Sequence, residues 1–445
     1  MFEKILKEIK PSILLTYPPV SLTRGWGSNP FPMTQLLLAS FLEARGLRAD
    51  IYQKFPYSIS QILAFIKRNK IAAVGMTCDC ANLQSCIALA DLIKKSDKSI
   101  YVILGGVQAT LYHRDILDNF SQVDVVVRGE GEETLAEILE NINDLNTGIK
   151  GITFRKSGIV MSSSDRSAIL NCDQLPKLSY HLLGENISRD FDFVNKWWPL
   201  HTGRGCFYNC TYCSSGRFWQ HCYRVKSVQR IIEDIRWCQK KYRVRKFSFD
   251  ELTFSVDRKR VVFFCEEIHR ANLQIEWCCD TRVDRVDKEL LQRMWEAGCR
   301  RIVFGVESFS SKILKLMKKN YTGAQALETV NYAHDLGIEI KCQIILGFPG
   351  ENDNTLKETL SYIHQLRKGV FCNPIIFHMY SGSDIYDKAK GRGLVDDKQW
   401  MDGYNIDDFT SKYYSQEFLR KLKIVASVLK RRFKPYEVTP LQQYK

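Results

Sequence analysis

Gly205-Cys206-Phe207-Tyr208-Asn209-Cys210-Thr211-Tyr212-Cys213 sets three cysteines four and three positions apart, at the end of a predicted strand. That spacing suits three thiolates that each reach a different iron of one cubane, with the fourth iron open to a small molecule. Two other readings of the same residues stay open. The cysteines can be buried structural thiols, which pack like small hydrophobes. They can also form a zinc site with Cys222 as fourth ligand, although zinc favours paired Cys-x2-Cys units and no second pair lies nearby.

Around this run the chain alternates apolar strand-like segments with helical ones. Strands are expected near 197–205, 246–250, 274–280, 301–306, 338–346 and 373–379, each followed by helical sequence. Six parallel strands are too few for the eight-fold barrel and predict an open, partial (β/α)6 barrel over 196–390, with its site at the carboxyl ends of the strands. Those ends carry Phe249-Asp250-Glu251, Asp280-Thr281-Arg282, Gly305-Val306-Glu307-Ser308 and Leu346-Gly347-Phe348-Pro349-Gly350-Glu351. A carboxylate pair such as Asp250 and Glu251 can hold a cation, although Asp250 can equally cap a helix. The Arg282 fork can hold a carboxylate or join a surface salt bridge. Cys372, His378 and Tyr380, near the last strand, are candidates to line a substrate pocket.

Upstream, strands at 12–17, 49–53, 71–76, 99–104 and 123–127 alternate with helices at 33–45, 58–68 and 83–94. This predicts an α/β, doubly wound, Rossmann-like parallel sheet over residues 1–150. Ligands of such sheets sit beyond the carboxyl ends of the strands, where strand order reverses. Here those ends carry Tyr17-Pro18-Pro19, Met76-Thr77, Gly105-Gly106 and Arg128-Gly129-Glu130. Residues 151–195 read as a hairpin, turning at Lys156-Ser157-Gly158, followed by a polar linker. Residues 391–445 read as a small helical region, with a basic amphipathic helix at 416–433 that is packed or solvated rather than laid on a membrane.

With 445 residues, 45% hydrophobic and 26% charged, the chain is long enough for two cores. No apolar run approaches a membrane span, and the charged start at Met1–Lys10 is unlike a signal peptide. The 15 cysteines are scattered, which implies reduced thiols and a cytoplasmic protein. The net charge of +14 falls in local runs such as 240–246 and 312–319 that read as solvated faces. No nucleic-acid-binding module accompanies them, so nucleic acid is not expected as a partner.

The cysteine run resembles that of radical S-adenosylmethionine enzymes, and together with the four strand-end motifs that follow it resembles that family's core from about 197 to 380. The resemblance implies a [4Fe–4S] cluster on Cys206, Cys210 and Cys213. It also implies S-adenosylmethionine chelating the open iron, and one-electron cleavage of its sulfonium to a 5′-deoxyadenosyl radical. It places Tyr212 beside the adenine, Asp250 and Glu251 on the methionine ammonium, and Arg282 on the methionine carboxylate. Glu307 or Ser308 would reach ribose or carboxylate, and Gly347 would let the backbone approach the adenine edge.

The N-terminal motifs resemble the cobalamin-binding domain that precedes this core in one branch of the family. That resemblance implies a corrinoid between the two domains, its nucleotide tail in the sheet, with Tyr17, Pro18, Thr77, Gly105, Gly106, Gly129 and Glu130 as its contacts. One departure matters. The Asp-x-His-x-x-Gly element that supplies a histidine to cobalt is missing, so no histidine is expected on the metal. The implied activity is cobalamin-dependent methyl transfer to an unreactive carbon of a small-molecule or natural-product intermediate, with an electron donor such as flavodoxin or ferredoxin. The alternative is a radical dehydratase, mutase or ring-remodelling enzyme whose cobalamin-like domain has lost the corrinoid. A non-catalytic iron–sulfur electron carrier is the reading from a different class, and a substrate-sized barrel speaks against it. No catalytic acid or base can be named from sequence.

Overall fold

Short strands joined by amphipathic helices build the first of two large sheets. In the computed structural model, which describes residues 11–19, 31–53, 57–184, 197–402 and 412–432, that sheet has seven strands in the order β2-β1-β3-β4-β5-β6-β7. They are β1 (Ser12–Thr16), β2 (Arg48–Tyr52), β3 (Ala73–Thr77), β4 (Tyr101–Gly105), β5 (Val125–Val127), β6 (Ile152–Lys156) and β7 (Ile159–Ser162). The first five are parallel, and the expected hairpin adds β6 and β7 antiparallel at the edge. β1 lies between β2 and β3, so strand order reverses beside it, which creates the crevice where such sheets bind ligands. Successive side chains point to opposite faces. Ile13, Leu15, Ile103 and Val127 therefore pack with helices Met33–Ala44 and Glu132–Glu140, while Leu14, Val74, Met76 and Leu104 pack with Ile59–Asn69 and Leu83–Ser96.

The second sheet has six parallel strands in sequential order: β8 (Trp198–His201), β9 (Lys246–Asp250), β10 (Glu276–Thr281), β11 (Cys299–Glu307), β12 (Glu339–Leu346) and β13 (Phe371–Ile376). This is the open partial barrel. Its outer face packs on helices whose starts are fixed by side chains, Asp257 accepting from the Arg260 amide and Thr322 and Asn352 closing capping boxes. Its inner face is polar and half-buried: Ser248, Asp250, Asp280, Gln343 and Asn373 retain exposure while their strand neighbours are sealed. That alternation marks a lumen open to solvent.

Two local expectations change and a third is narrowed. The strand expected at 197–205 ends at His201, and Gly203–Arg204 turns away to pair antiparallel with Arg224–Val225. The first half of the linker is anchored, because Leu178 and Tyr180 are buried in the barrel core and the Tyr180 hydroxyl donates to the Pro199 carbonyl; residues 185–195 lie outside those described. The C-terminal helix Gln416–Arg432 buries Leu419, Leu422, Ala426 and Leu429, so it is a packed helix. Among the described residues no helix is long and apolar enough to cross a membrane.

Candidate active site

The cysteine loop is shaped by protein contacts. Gly205 has φ +81°, and a Cβ there would lie 1.9 Å from the Cys222 carbonyl oxygen, so only glycine lets the loop double back on that segment. Thr211 pins the far side: its amide and hydroxyl donate to the Met317 and Leu316 carbonyls at 3.3 and 3.0 Å, and its carbonyl accepts from the Ile385 amide at 2.9 Å. Cys206, Cys210 and Cys213 remain partly exposed, and burial pushes the thiols of Cys206 and Cys213 up. Among the described residues no three His, Cys, Asp or Glu side chains converge on one point as a single ion requires. A cubane takes one thiolate per iron and needs no fourth protein ligand, which suits three partly exposed thiols on one loop.

Tyr212, between the second and third cysteines, donates to Glu307 Oε1 at 2.8 Å. Glu307 sits at φ +63°, where β11 and β12 shift register. A non-glycine residue rarely adopts that backbone, and bulges of this kind re-aim side chains at functional sites. The same oxygen receives Lys319 Nζ at 3.2 Å, a buried cation that sequence reading missed. Ser308, expected to reach a cofactor, instead caps the following turn by accepting from the Ser310 amide at 3.1 Å, and it is fully buried against Thr359.

The remaining expected contacts divide sharply. Glu251 is sealed: Arg260 approaches both its oxygens at 3.0 Å, with Tyr223 and Thr202 hydroxyls at 2.7 and 2.9 Å. All its acceptor capacity faces protein, so the expectation of an ammonium clamp passes to Asp250 alone, whose side chain is 40% exposed. Arg282 forks onto Asp284 rather than standing open to a carboxylate. Gly347 has φ +79°, and a Cβ there would meet Leu422 of the C-terminal helix at 2.8 Å, so glycine is required here by packing on that helix. Cys372 faces the buried core with Cys342 rather than a pocket; Tyr380 is 40% exposed.

A cavity of about 530 Å³ joins the two sheets. Tyr17, Thr77, Gly105, Gly106, Gly129 and Glu130 line it from the first sheet, and His201, Asp250 and Glu251 from the barrel. Pro18 is not among its walls, and its carbonyl accepts from Asn82 at 3.0 Å. The glycines are not equivalent. A Cβ on Gly106 would lie 2.7 Å from the Cys78 carbonyl at φ +99°, so this glycine serves the turn. A Cβ on Gly105 meets nothing closer than Val127 at 3.9 Å, and one on Gly129 meets nothing within 4 Å. Of the three glycines expected beside a corrinoid tail, Gly105 and Gly129 therefore leave open space and Gly106 does not. Gly105→Leu is expected to cut cobalamin retained after reconstitution by tenfold or more, with melting and iron content unchanged, whereas Gly106→Leu lowers melting. Equal retention in Gly105→Leu and the parent would move the tail elsewhere.

Glu130, expected at the corrinoid, is instead engaged with Arg204 and Arg224 at 3.0 and 2.9 Å. Glu132 also takes Arg204, whose side chain is 3% exposed. Arg204 Nε donates to His201 Nε2 at 3.2 Å, which puts the ring proton on Nδ1, facing Asp250 Oδ2 at 3.4 Å. Burial keeps this imidazole neutral by lowering its pKa. Among the described residues His201 is the one histidine in the cavity wall, and both its ring nitrogens are thus engaged; His113 bonds Thr153 through Nδ1 at 2.7 Å outside that wall.

Residues 200–363 match the Radical SAM superfamily, and residues 27–139 match the B12 binding domain. The chain is a radical S-adenosylmethionine enzyme with a B12-binding domain. Its cofactors are a [4Fe–4S] cluster, S-adenosylmethionine and cobalamin. It is 28% identical to an uncharacterized methyltransferase of Pyrococcus horikoshii over 92% of this chain and 90% of that one. It is 29% identical to the anaerobic magnesium-protoporphyrin IX monomethyl ester cyclase of Cereibacter sphaeroides over 58% of this chain, spanning 43% of that protein. The fold is shared with a radical S-adenosylmethionine methyltransferase from Kitasatospora setae, solved with cobalamin and [4Fe–4S] cluster bound: TM-score 0.70, 13% identity, 86% of this chain and 78% of that one.

In this radical S-adenosylmethionine enzyme the lumen adds residues that motif reading passed over. Lys341 is 6% exposed on the inner face of β12, and burial lowers its pKa from the usual 10.5 to about 8, partly offset by Asp280. Gln343 accepts from Asn373 at 2.6 Å one layer above. The signal was present in Glu339-Ile340-Lys341-Cys342-Gln343, where polar residues alternate with apolar ones inside a strand.

Proposed function

We propose that this enzyme transfers a methyl group to an unreactive carbon of a small molecule held in the barrel lumen. The observation that carries the reading is the cavity shared by the strand ends of both sheets, which lets a corrinoid in the first face the site of the second. When bound, cobalamin supplies the methyl group and the cluster with S-adenosylmethionine supplies the means of activating an inert C–H bond. Cys206, Cys210 and Cys213 hold the cluster, Asp250 takes the methionine ammonium, and Tyr212, fixed by Glu307 and Lys319, presents a flat ring beside the adenine. Tyr17, bonded to Asp79, and Thr77, bonded to Gln35 at 2.9 Å, form the polar rim on the corrinoid side. Gly105 and Gly129 leave its tail room. His201 has both ring nitrogens engaged and His113 is not part of the cavity wall, so substituting either is expected to leave the corrinoid spectrum unchanged.

The methyltransferase among the full-length relatives supports methyl transfer, and the polar lumen supports a small polar substrate. A low-potential electron donor such as flavodoxin or ferredoxin, and a reducing cytoplasm, complete the reading. Mass spectrometry of turnover products tests it. S-Adenosylhomocysteine formed together with 5′-deoxyadenosine is the expected result. 5′-Deoxyadenosine alone would place the enzyme with non-methylating members, and neither product would refute both.

A further inference from the structure

Arg282 is held so that one guanidinium nitrogen is left over. Its Nε and Nη2 donate to Asp284 Oδ1 and Oδ2 at 2.8 and 2.9 Å. Its Cζ lies over the Tyr208 ring, 4.0 Å from the centroid, a cation–π contact, and the residue is 4% exposed. The third nitrogen, Nη1, donates to Cys210 Sγ at 3.5 Å. A planar fork fixed on two sides has little freedom to aim that N–H elsewhere. Tyr208 and Cys210 belong to one loop and Arg282 and Asp284 to another, so the contact is built from two elements.

We propose that Arg282 is a positioning residue that donates an N–H···S hydrogen bond to Cys210 in the loaded enzyme and so raises the reduction potential of the cluster. The inference rests on Cys210 being one of the three cluster ligands. Hydrogen bonds to ligand sulfurs are among the factors that set iron–sulfur potentials, because the reduced cluster carries more negative charge for the N–H dipole to stabilise. Asp284 neutralises the guanidinium at a distance, which confines the effect to the nearest sulfur. The half-reaction is the gain of one electron by the oxidised cluster, supplied by dithionite in the experiment, and no bond is made or broken.

The test is a redox titration of anaerobically reconstituted protein, followed by electron paramagnetic resonance without S-adenosylmethionine. Parent, Arg282→Lys and the charge-balanced double variant Arg282→Gln/Asp284→Asn are compared, with iron content and circular dichroism as controls. The expected result is iron content equal to the parent and a lower midpoint. At a fixed potential the reduced-to-oxidised ratio should fall about tenfold, equivalent to about 59 mV for one electron. Unchanged midpoints with iron retained would overturn the proposal, and if S-adenosylmethionine affinity alone fell, Arg282 would return to the methionine carboxylate. Loss of iron from both variants would also overturn it, making Arg282 a residue of loop folding. Absence of iron from the parent would instead refute the cluster ligands themselves.

Discussion

Replacing Cys206, Cys210 or Cys213 with Ala is expected to abolish the cluster's visible absorbance and all cleavage of S-adenosylmethionine. Each thiolate serves a different iron, so no neighbour can compensate for its loss. The loop itself should survive, since Gly205 and Thr211 shape it through backbone contacts. Circular dichroism and melting of the variants should match the iron-free parent. Cys222→Ala and Cys278→Ala should retain both absorbance and cleavage, because Cys278 is buried in the barrel wall and Cys222 stands outside the three-cysteine run. Iron content equal to the parent in the triple Ala variant would sink the assignment.

Arg204→Ala should cause the largest loss of stability. The change leaves Glu130 and Glu132, with side chains 8% and 4% exposed, without their shared cation. Removing one partner of a buried ion pair costs about 3–5 kcal/mol, a large share of the ~5–15 kcal/mol by which domains are stable. Burial works to raise the Glu132 carboxyl, but the Arg204 guanidinium outweighs it and holds its pKa below the usual 4.5. A lowered carboxyl pKa stabilises the fold above the unfolded value, and that contribution is lost as pH falls through the folded one. Parent and Arg204→Ala should therefore differ most near neutrality and converge in acid. Denaturation midpoints equal at pH 7 would show that the network is dispensable.

The sequence made the two sheets readable because short buried strands separated by capped helices leave a strong periodic trace. The cysteine loop was readable for a different reason: its chemistry fixes spacing within one segment. Roles of single charged residues were not readable, because they depend on partners distant in the chain. Glu251 meets Arg260 only after a helix has formed, Glu130 meets Arg224 from the short ladder beyond the barrel's first strand, and Gly347 is covered by Leu422 from the last helix. Lys319 was hidden for the same reason, since nothing in Lys318-Lys319 tells a buried cation from an exposed one until Glu307 is turned inward.

The polar chain from Glu130 and Glu132 through Arg204 also has a consequence for the timing of assembly. Parallel strand pairs close long loops and form slowly, and domains generally fold as units, the N-terminal one first. The acidic pair belongs to the half of the chain synthesised first. It is in place before Arg204, which lies immediately ahead of the Gly205 loop, is available to meet it. That loop is expected to take its final shape only when the two halves dock. Iron then enters a receptacle already formed by the protein, and cluster insertion becomes a late maturation event rather than a nucleus for folding.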